Sequence, residues 1–599
     1  MKRWVWLGLV GGLLACDEKP EEPVEPEDCT TMGESALPGN GLSAQAQGLS
    51  PEERATAQDG RQSVLVQYRR TLSAASAASA ARAAEDAVVG TGGKVTARWA
   101  RLGAVAARLT PEERQLLEAN PDVAYVEPDR PVRAFARQSV VTTGTVGEYT
   151  EGIKQIQADK VWDSNGDGVL DANAPTGANI RVCVIDSGWD NRHPELIAAY
   201  AGGKDFVDDD DEPLDQEKLT GEWGGGHGTH TAATIVAQLS SPGIVDPSDD
   251  KNGVVGVAPG VDLLVARVLN TRGNGNTSDI ISALEWCQSQ GAKIASLSLG
   301  APDPSQTEQA AFAAALAAGM LPIAASGNGG TGEPATEPGV AYPAGYPSVL
   351  AVGAVDFKSA HPTFSQMGPQ LALVAPGVNV LSAVILGSES YSDIEANGVR
   401  FASRSLAYAP LGHYAGKLLA CGVGNSVEAC GPQATCAGFV AYVDRGGIDS
   451  EGNGLTFAKK VGFMRRAGAR AVIIGNNDPD DGVGNFTLGA EGEWLPTASV
   501  SYADGAAIKA LSGKDADVKL IGVDYMRLTG TSMAAPHVSG VAALLWSARP
   551  TLTPAQVRDL MERSALDLGV KGRDNAYGFG LVQARAAMDL LEQNFPQTP

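Results

Sequence analysis

From about residue 150 onward, short and mostly apolar runs alternate with longer segments of helical periodicity. Stretches 180–185, 262–268, 293–297, 321–325 and 349–355 read as strands, and 227–239, 278–290 and 308–318 as helices. Apolar strands separated by helices predict an α/β fold with a parallel sheet and helices on both faces. Ligands of such sheets gather beyond the carboxyl ends of the strands. Asp186 and Asn328 stand just past two such ends. Near the C-terminus, 538–546 carries no charge and is apolar on most faces, which predicts a buried helix. A helix near 553–564 ends the pattern.

Two regions break the alternation. Residues 61–130 give a strand at 64–68, an alanine-rich helix to about 88, a strand-like stretch at 94–107 and a strand at 122–127. Within them Thr110-Pro111-Glu112-Glu113 opens a helix with a cap, a first-turn proline and N-terminal acids. This predicts a small α+β unit. Residues 388–522 carry a strand at 438–443, a helix at 456–467 and a strand at 471–474, a separate period that predicts an inserted domain. The chain returns to the main pattern through Tyr525-Met526.

The 599 residues and 43% hydrophobic content allow several domains with sizeable cores. A formal charge of −24 argues against nucleic-acid binding by the whole protein. Lys2 and Arg3, followed by an almost wholly apolar run at 4–14, predict an export signal over residues 1–16, too short to remain as a membrane span. Leu13-Leu14-Ala15-Cys16 resembles a bacterial lipobox, which implies cleavage before Cys16 and a lipid on that residue. The Asp/Glu/Pro run that follows makes 17–60 a solvated tether. Of the seven cysteines, Cys421, Cys430 and Cys436 predict one loop-stapling bridge, whereas Cys183 in a strand and Cys287 in a helix read as buried free thiols. Cys29 is unassigned.

Chemistry concentrates in three stretches. Asp186 ends a strand, Gly226-His227-Gly228-Thr229-His230 opens a helix, and Gly530-Thr531-Ser532-Met533-Ala534-Ala535-Pro536-His537 is a sharp turn into the buried helix. A serine at a helix start lies among unpaired N–H groups, where negative charge on a carbonyl oxygen is favoured. Its hydroxyl needs a base, and the base needs a carboxylate. Among six histidines, His227 has glycines that permit close approach; His230 reads as a packing residue, and the ring of His537 is displaced from the serine by one helical turn.

The three blocks, in this order, resemble the signature segments of the subtilisin-like serine proteases. The resemblance implies Ser532 as nucleophile, His227 as general base and acid, and Asp186 as orienting carboxylate. Ala325-Ser326-Gly327-Asn328 is similar to the block whose asparagine donates to the oxyanion. Ser298, Leu299 and Gly300 resemble the edge segment that pairs with an extended substrate. The uncharged run Gly329-Gly330-Thr331-Gly332 then favours an apolar or undemanding P1 residue. Residues 61–135 resemble the inhibitory propeptide of these enzymes, with self-cleavage expected between Asp129 and Thr150. The insert resembles a protease-associated (PA) domain, through Val443-Asp444-Arg445-Gly446-Gly447 and 467–474 among other stretches, and departs from that pattern between Gly447 and Phe457.

The resulting domain plan is 1–16 leader, 17–60 tether, 61–135 propeptide, 150–387 and 523–599 catalytic domain, and 388–522 insert. The implied activity is that of an exported serine endopeptidase made as a zymogen. The alternative is a catalytically silent protein of the same fold that binds through its insert. Expected partners are peptide or protein substrates, the chain's own propeptide and, through Cys16, a bacterial membrane from which maturation releases the catalytic domain. No cofactor is required for the chemistry. Calcium is an open reading: Asp163-Ser164-Asn165-Gly166-Asp167-Gly168 matches half of a calcium loop, with Asp171 as a substitute ligand and Glu195 at a position where the family often ligates calcium. A solvated acidic loop fits the same residues. The run Asp208-Asp209-Asp210-Asp211-Glu212 reads as solvated surface.

Overall fold

The computed structural model describes residues 59–596 apart from 70–73, 136, 139–147, 216–225, 240–252, 333–338, 388, 436, 450, 480–481, 485 and 490–491. The leader, Cys16, Cys29, nearly all of the tether and Cys436 lie outside the described residues.

The N-terminal region comprises β1 (Gln62–Tyr68), α1 (Ala74–Gly90), β2 (Lys94–Trp99), β3 (Ala104–Leu109), α2 (Pro111–Glu118) and β4 (Val123–Pro128). Its strands form an antiparallel sheet in the order β2-β3-β1-β4. Stretch 94–107, read as a single strand, is a hairpin. It turns at 100–103, where Gly103 takes φ 71° and the N–H groups of Leu102 and Gly103 donate to the Trp99 carbonyl. Helix α2 starts on a capping box between Thr110 and Glu113. Trp99 and Leu65 join the core of the α/β unit that follows, and the Trp99 indole donates to the Ser282 hydroxyl at 3.0 Å.

The chain then runs through β5 (Pro131–Ala134) and β6 (Arg137–Gln138) into the α/β unit. In order come β7 (Arg181–Asp186), β8 (Tyr200–Asp205), α3 (His227–Val236), β9 (Asp262–Arg267), β10 (Asn274–Asn276), α4 (Thr277–Ser289) and β11 (Ile294–Leu297). They are followed by β12 (Leu299–Gly300), α5 (Gln306–Ala317), β13 (Leu321–Ala325), β14 (Leu350–Val355) and β15 (Leu371–Pro376). Among the described residues, seven strands form one parallel sheet in the order β15-β14-β13-β11-β7-β9-β8. The central strands are buried along their length, as near-continuous apolar runs require. Helix α4 lies over β7, which brings the Cα atoms of Cys183 and Cys287 to 5.9 Å in a disulfide. These two cysteines are therefore not free thiols; their separation of 104 residues hides the pairing from sequence.

From β16 (Val380–Ala383) the chain enters the insert: β17 (Glu389–Ala396), β18 (Val399–Phe401), β19 (Ser403–Ser405), β20 (Gly412–Ala420), β21 (Val440–Asp444), α6 (Phe457–Arg466), β22 (Ala471–Gly475), β23 (Thr497–Val500), α7 (Tyr502–Ala510) and β24 (Asp515–Val523). These strands form a second sheet, order β18-β17-β24-β20-β21-β22-β23-β19, with apolar clusters of its own. Cys421 and Cys430 are joined there in a disulfide. Strand β25 (Tyr525–Thr529) pairs back onto β16, and α8 (Thr531–Ala548), α9 (Pro554–Ser564) and α10 (Ala584–Asn594) complete the fold. Helix α10 extends the pattern beyond the helix that the sequence reading takes as last; it buries Met588 and Leu591 and packs against α9. The helix pairs α3–α8 and α4–α5 flank the parallel sheet.

Candidate active site

Strand β7 is buried and ends on Asp186, which is 0% exposed. Asp186 Oδ1 lies 2.6 Å from His227 Nδ1 and accepts the Ser187 N–H at 2.7 Å. The Thr231 hydroxyl, one turn along α3, donates to Oδ2 at 3.3 Å. Helix α3 follows Gly226, at φ 82°. It comes this close to the end of β7 because Gly228 faces Gly188: a Cβ on Gly228 would lie 2.2 Å from the Gly188 carbonyl oxygen. Asp215 stitches the two segments together. Its Oδ1 accepts the Ser187 hydroxyl at 3.0 Å, and its Oδ2 accepts the Thr229 N–H and hydroxyl at 3.0 and 2.8 Å. Burial pushes its pKa up to about 6 against the pull of the Thr229 bonds.

The other histidines of α3 and α8 are held neutral. Burial takes His230 down to about 3, with the neighbouring His227 adding to the effect, and its Nε2 lies between the Val380 and Met526 carbonyls. Burial takes His537 down to about 4, and its Nδ1 lies 2.7 Å from the Met533 carbonyl. Both serve packing, and of α3's two histidines only His227 stands against a carboxylate.

Ser532 is the second residue of α8 and is fully buried. Its hydroxyl donates to the Ser298 carbonyl at 2.7 Å, and the Ser298 hydroxyl donates to the Ser532 carbonyl at 2.7 Å. Asn328 Oδ1 accepts both the N–H and the hydroxyl of Thr531, each at 3.0 Å. With its oxygen spent on the helix start, the Asn328 amide has its N–H groups to offer. Gly530 is extended at φ 161°, so the turn into α8 draws on no left-handed glycine at that position.

The chain's own segment fills the cleft between β10 and β12. Strand β5 pairs antiparallel with both, Arg133 opposite Asn274 and Gly300, and Ala134 opposite Leu299. Phe135 comes next. Its N–H donates to the Ser298 carbonyl at 3.2 Å and lies 3.0 Å from Ser532 Oγ. Its carbonyl accepts the Ser532 N–H at 3.3 Å. Its ring lies over Gly300, where a Cβ would come within 2.9 Å of the ring edge. Beyond it β6 pairs with β25, Arg137 opposite Thr529 and Gln138 opposite Leu528. The chain thus enters along β12 and leaves along β25.

The structure brings Asp186 to His227, and it brings Ser532, Ser298 and, through Thr531, Asn328 together. Leu299 and Gly300 carry the strand pairing with β5. Sequence reasoning missed Phe135, Asp215 and the tie from Thr531 to Asn328. Only Phe135 had a local signal, as the aromatic that closes the stretch 61–135 read as propeptide.

The residues named for calcium are engaged in hydrogen bonds within the chain. Asp163 already accepts the Gly166, Asp167 and Gly168 N–H groups and the Tyr149 hydroxyl. Asp171 accepts the Ser164 N–H at 2.9 Å. Glu195 accepts the Val254 N–H and the Tyr525 hydroxyl, at 3.1 and 2.9 Å. Among the described residues no group of three or more His, Cys, Asp or Glu converges.

A parallel-sheet protein with a buried carboxylate–imidazole pair, and with a helix-start serine set against a paired polypeptide strand, has the layout of a serine hydrolase acting on peptides. Family comparison gives the narrower class. The subtilase family matches residues 177–408 and 485–580, the PA domain 405–508, and peptidase inhibitor I9 53–135. Subtilisin NAT of Bacillus subtilis subsp. natto is 35% identical over 344 residues, covering 57% of this chain and 76% of that protein. The M-protease of Shouchella clausii (strain KSM-K16) is 38% identical over 274 residues, 46% of this chain and 60% of that protein. Fervidolysin of Fervidobacterium pennivorans, described as a keratinolytic enzyme related to subtilisin, shares the fold at 21% identity with a TM-score of 0.52, over 88% of this chain and 61% of that one. The chain belongs to the subtilase family: it is a subtilisin-like serine protease with an inhibitor-type propeptide and a PA domain.

Proposed function

We propose that this protease is an exported endopeptidase precursor whose first substrate is its own Phe135–Ala136 bond. Ser532 Oγ attacks the Phe135 carbonyl carbon while His227 takes the hydroxyl proton and Asp186 stabilises the imidazolium. The developing oxyanion meets the Ser532 N–H and the Asn328 side-chain amide. As the C–N bond breaks, His227 passes the proton to the nitrogen of Ala136. Water then attacks the acyl-enzyme, His227 taking its proton and returning one to Ser532. The same cycle serves later substrates, which enter as an added strand along Ser298, Leu299 and Gly300.

The observation that carries this reading is the Phe135 carbonyl on the Ser532 N–H, at 3.3 Å, with strand pairing on both sides of it. N-terminal sequencing of the mature enzyme is the test. A chain starting at Ala136, and an uncut Ser532→Ala precursor, are expected; a Ser532→Ala chain that still matures on its own would overturn the reading.

Export and lipid attachment rest on residues 1–16. With the lipid site upstream of the cut, maturation frees the catalytic domain from its anchor. Labelled palmitate should mark the precursor and the released propeptide, not the mature enzyme, and Cys16→Ser should abolish the label.

A further inference from the structure

The loop that carries Asn328 has little stiffness of its own. Gly327, Gly329 and Gly330 surround the asparagine, and glycine backbones resist few conformations. The direction of the Asn328 amide therefore depends on what holds the peptide groups beside it. On one side α8 holds it: Thr531 binds Asn328 Oδ1 at 3.0 Å, and Thr531 Oγ1 accepts the Gly327 N–H at 3.2 Å. On the other side the Phe364 carbonyl accepts the Gly330 N–H at 2.8 Å, and the buried Gln366, 7% exposed, holds the two peptide groups next to the asparagine. Its backbone N–H donates to the Gly327 carbonyl at 3.0 Å. Its side-chain Oε1 accepts the Gly329 N–H at 3.1 Å. Its Nε2 donates to the Gly339 carbonyl, tying the bracket to the chain further along. The fit is close: a Cβ at Gly327, which takes φ 108°, would lie 1.9 Å from Gln366 Oε1.

We propose that Gln366 is a positioning residue for the reaction, bracketing Asn328 through Gly327 and Gly329 so that its amide is aimed at the oxyanion before the substrate arrives. The inference rests on the reading of Asn328 as an oxyanion donor. Nothing local in Phe364-Ser365-Gln366-Met367 marks the role, because the glutamine reaches Asn328 only through the fold. The side chain spends its hydrogen bonds on Gly329 and Gly339, so its effect on the reaction has to travel through Asn328.

A double-mutant cycle on the mature enzyme, produced from the full chain, tests this. Asn328→Ala alone should lower kcat roughly 10²–10³-fold. Gln366→Ala should lower kcat about tenfold to hundredfold with KM changed by less than about twofold, as expected for a misaimed rather than a missing donor. In the Asn328→Ala background, Gln366→Ala should add nothing further. The Ki of a peptide aldehyde, whose adduct carries an oxyanion, should rise in step with the fall in kcat. Gln366→Met keeps the length and volume while removing both side-chain hydrogen bonds, and covers the case in which the alanine variant fails to accumulate. If Asn328→Ala leaves kcat unchanged, the reading of Asn328 falls. If Asn328→Ala is impaired while Gln366→Ala or Gln366→Met is not, or is impaired equally in both backgrounds, the role of Gln366 is overturned.

Discussion

Glu127 of the propeptide and Glu308 of the catalytic unit meet at the start of α5, and Glu127 holds it. Glu127 Oε1 accepts the Ser305 hydroxyl, the Thr307 N–H and the Thr307 hydroxyl at 2.9, 2.9 and 2.6 Å, and its Oε2 accepts the Gln306 N–H at 3.1 Å. Glu308 has the capping-box spacing from Ser305. Its carboxyl nevertheless turns away to the Tyr346 hydroxyl, 2.7 Å off. Burial, with Glu127 and Asp129 adding to it, raises Glu308 to about 7; the Tyr346 bond and Arg130 pull the other way.

Release of the cleaved propeptide should consequently depend on pH. Glu308 holds its proton more tightly in the complex than once water reaches it. Affinity is full below the ordinary value of 4.5, falls by up to about tenfold per unit as pH rises to about 7, and then levels off. The onset of peptidase activity after processing, followed from acid to neutral pH, measures it. Glu308→Gln should flatten the profile, and an unchanged slope in that variant would remove Glu308 as the cause.

Phe135→Asp should stall maturation. It places a charge where an aromatic ring lies on Gly300, and burying an unpaired carboxylate costs several kcal/mol. Precursor should accumulate at full length on a gel, and Phe135→Leu should process within about tenfold of the parent. Equal processing of all three would show that the ring's seat on Gly300 does not select the cut.

Asp215→Ala should depress catalysis without touching any reacting atom. The variant frees the Ser187 and Thr229 hydroxyls that set the spacing between Asp186 and His227. A loss of kcat of about 10²-fold is expected, as for a misplacement of about 1 Å. Asp215→Asn, which keeps an acceptor oxygen, should recover part of it. Steady-state kinetics on both variants decide the point.

Replacing Cys183 and Cys287 by serine should lower stability by roughly 2–4 kcal/mol, since the bridge closes a loop of 104 residues. Thermal unfolding of the uncut Ser532→Ala precursor, with and without reductant, reads the effect free of self-digestion. A melting temperature indifferent to both would show that α4 is held over β7 by packing alone.

What the sequence disclosed depended on how local each signal was. Asp186, His227 and Ser532 sit at a strand end and two helix starts, and each carries its own glycine punctuation. Their blocks can be read without knowing what lies nearby in space. Asp215 and Gln366 carry no such mark, because an acid near an acidic run and a glutamine in a loop acquire meaning only when another segment folds onto them. The hairpin between β2 and β3 read as one strand because alanine and valine continue on both sides and Gly103 alone marks the turn. Helix α10 was missed beyond a stretch with no strong period. The Cys183–Cys287 pair belongs to the same group: partners far apart in sequence, joined by a helix crossing a strand.

The threading of β5, Phe135 and β6 through the cleft also fixes the kinetics of awakening. An occupant carried on the same chain is present at an effective concentration that dilution does not change. An uncut protein with its cleft filled in this way is expected to stay silent at any expression level. If the chain cuts itself at Phe135 as proposed, its first turnover is a first-order event, with a half-life independent of how many copies surround it. Only afterwards, when the severed piece becomes a separate molecule, does crowding govern how quickly the enzyme goes to work.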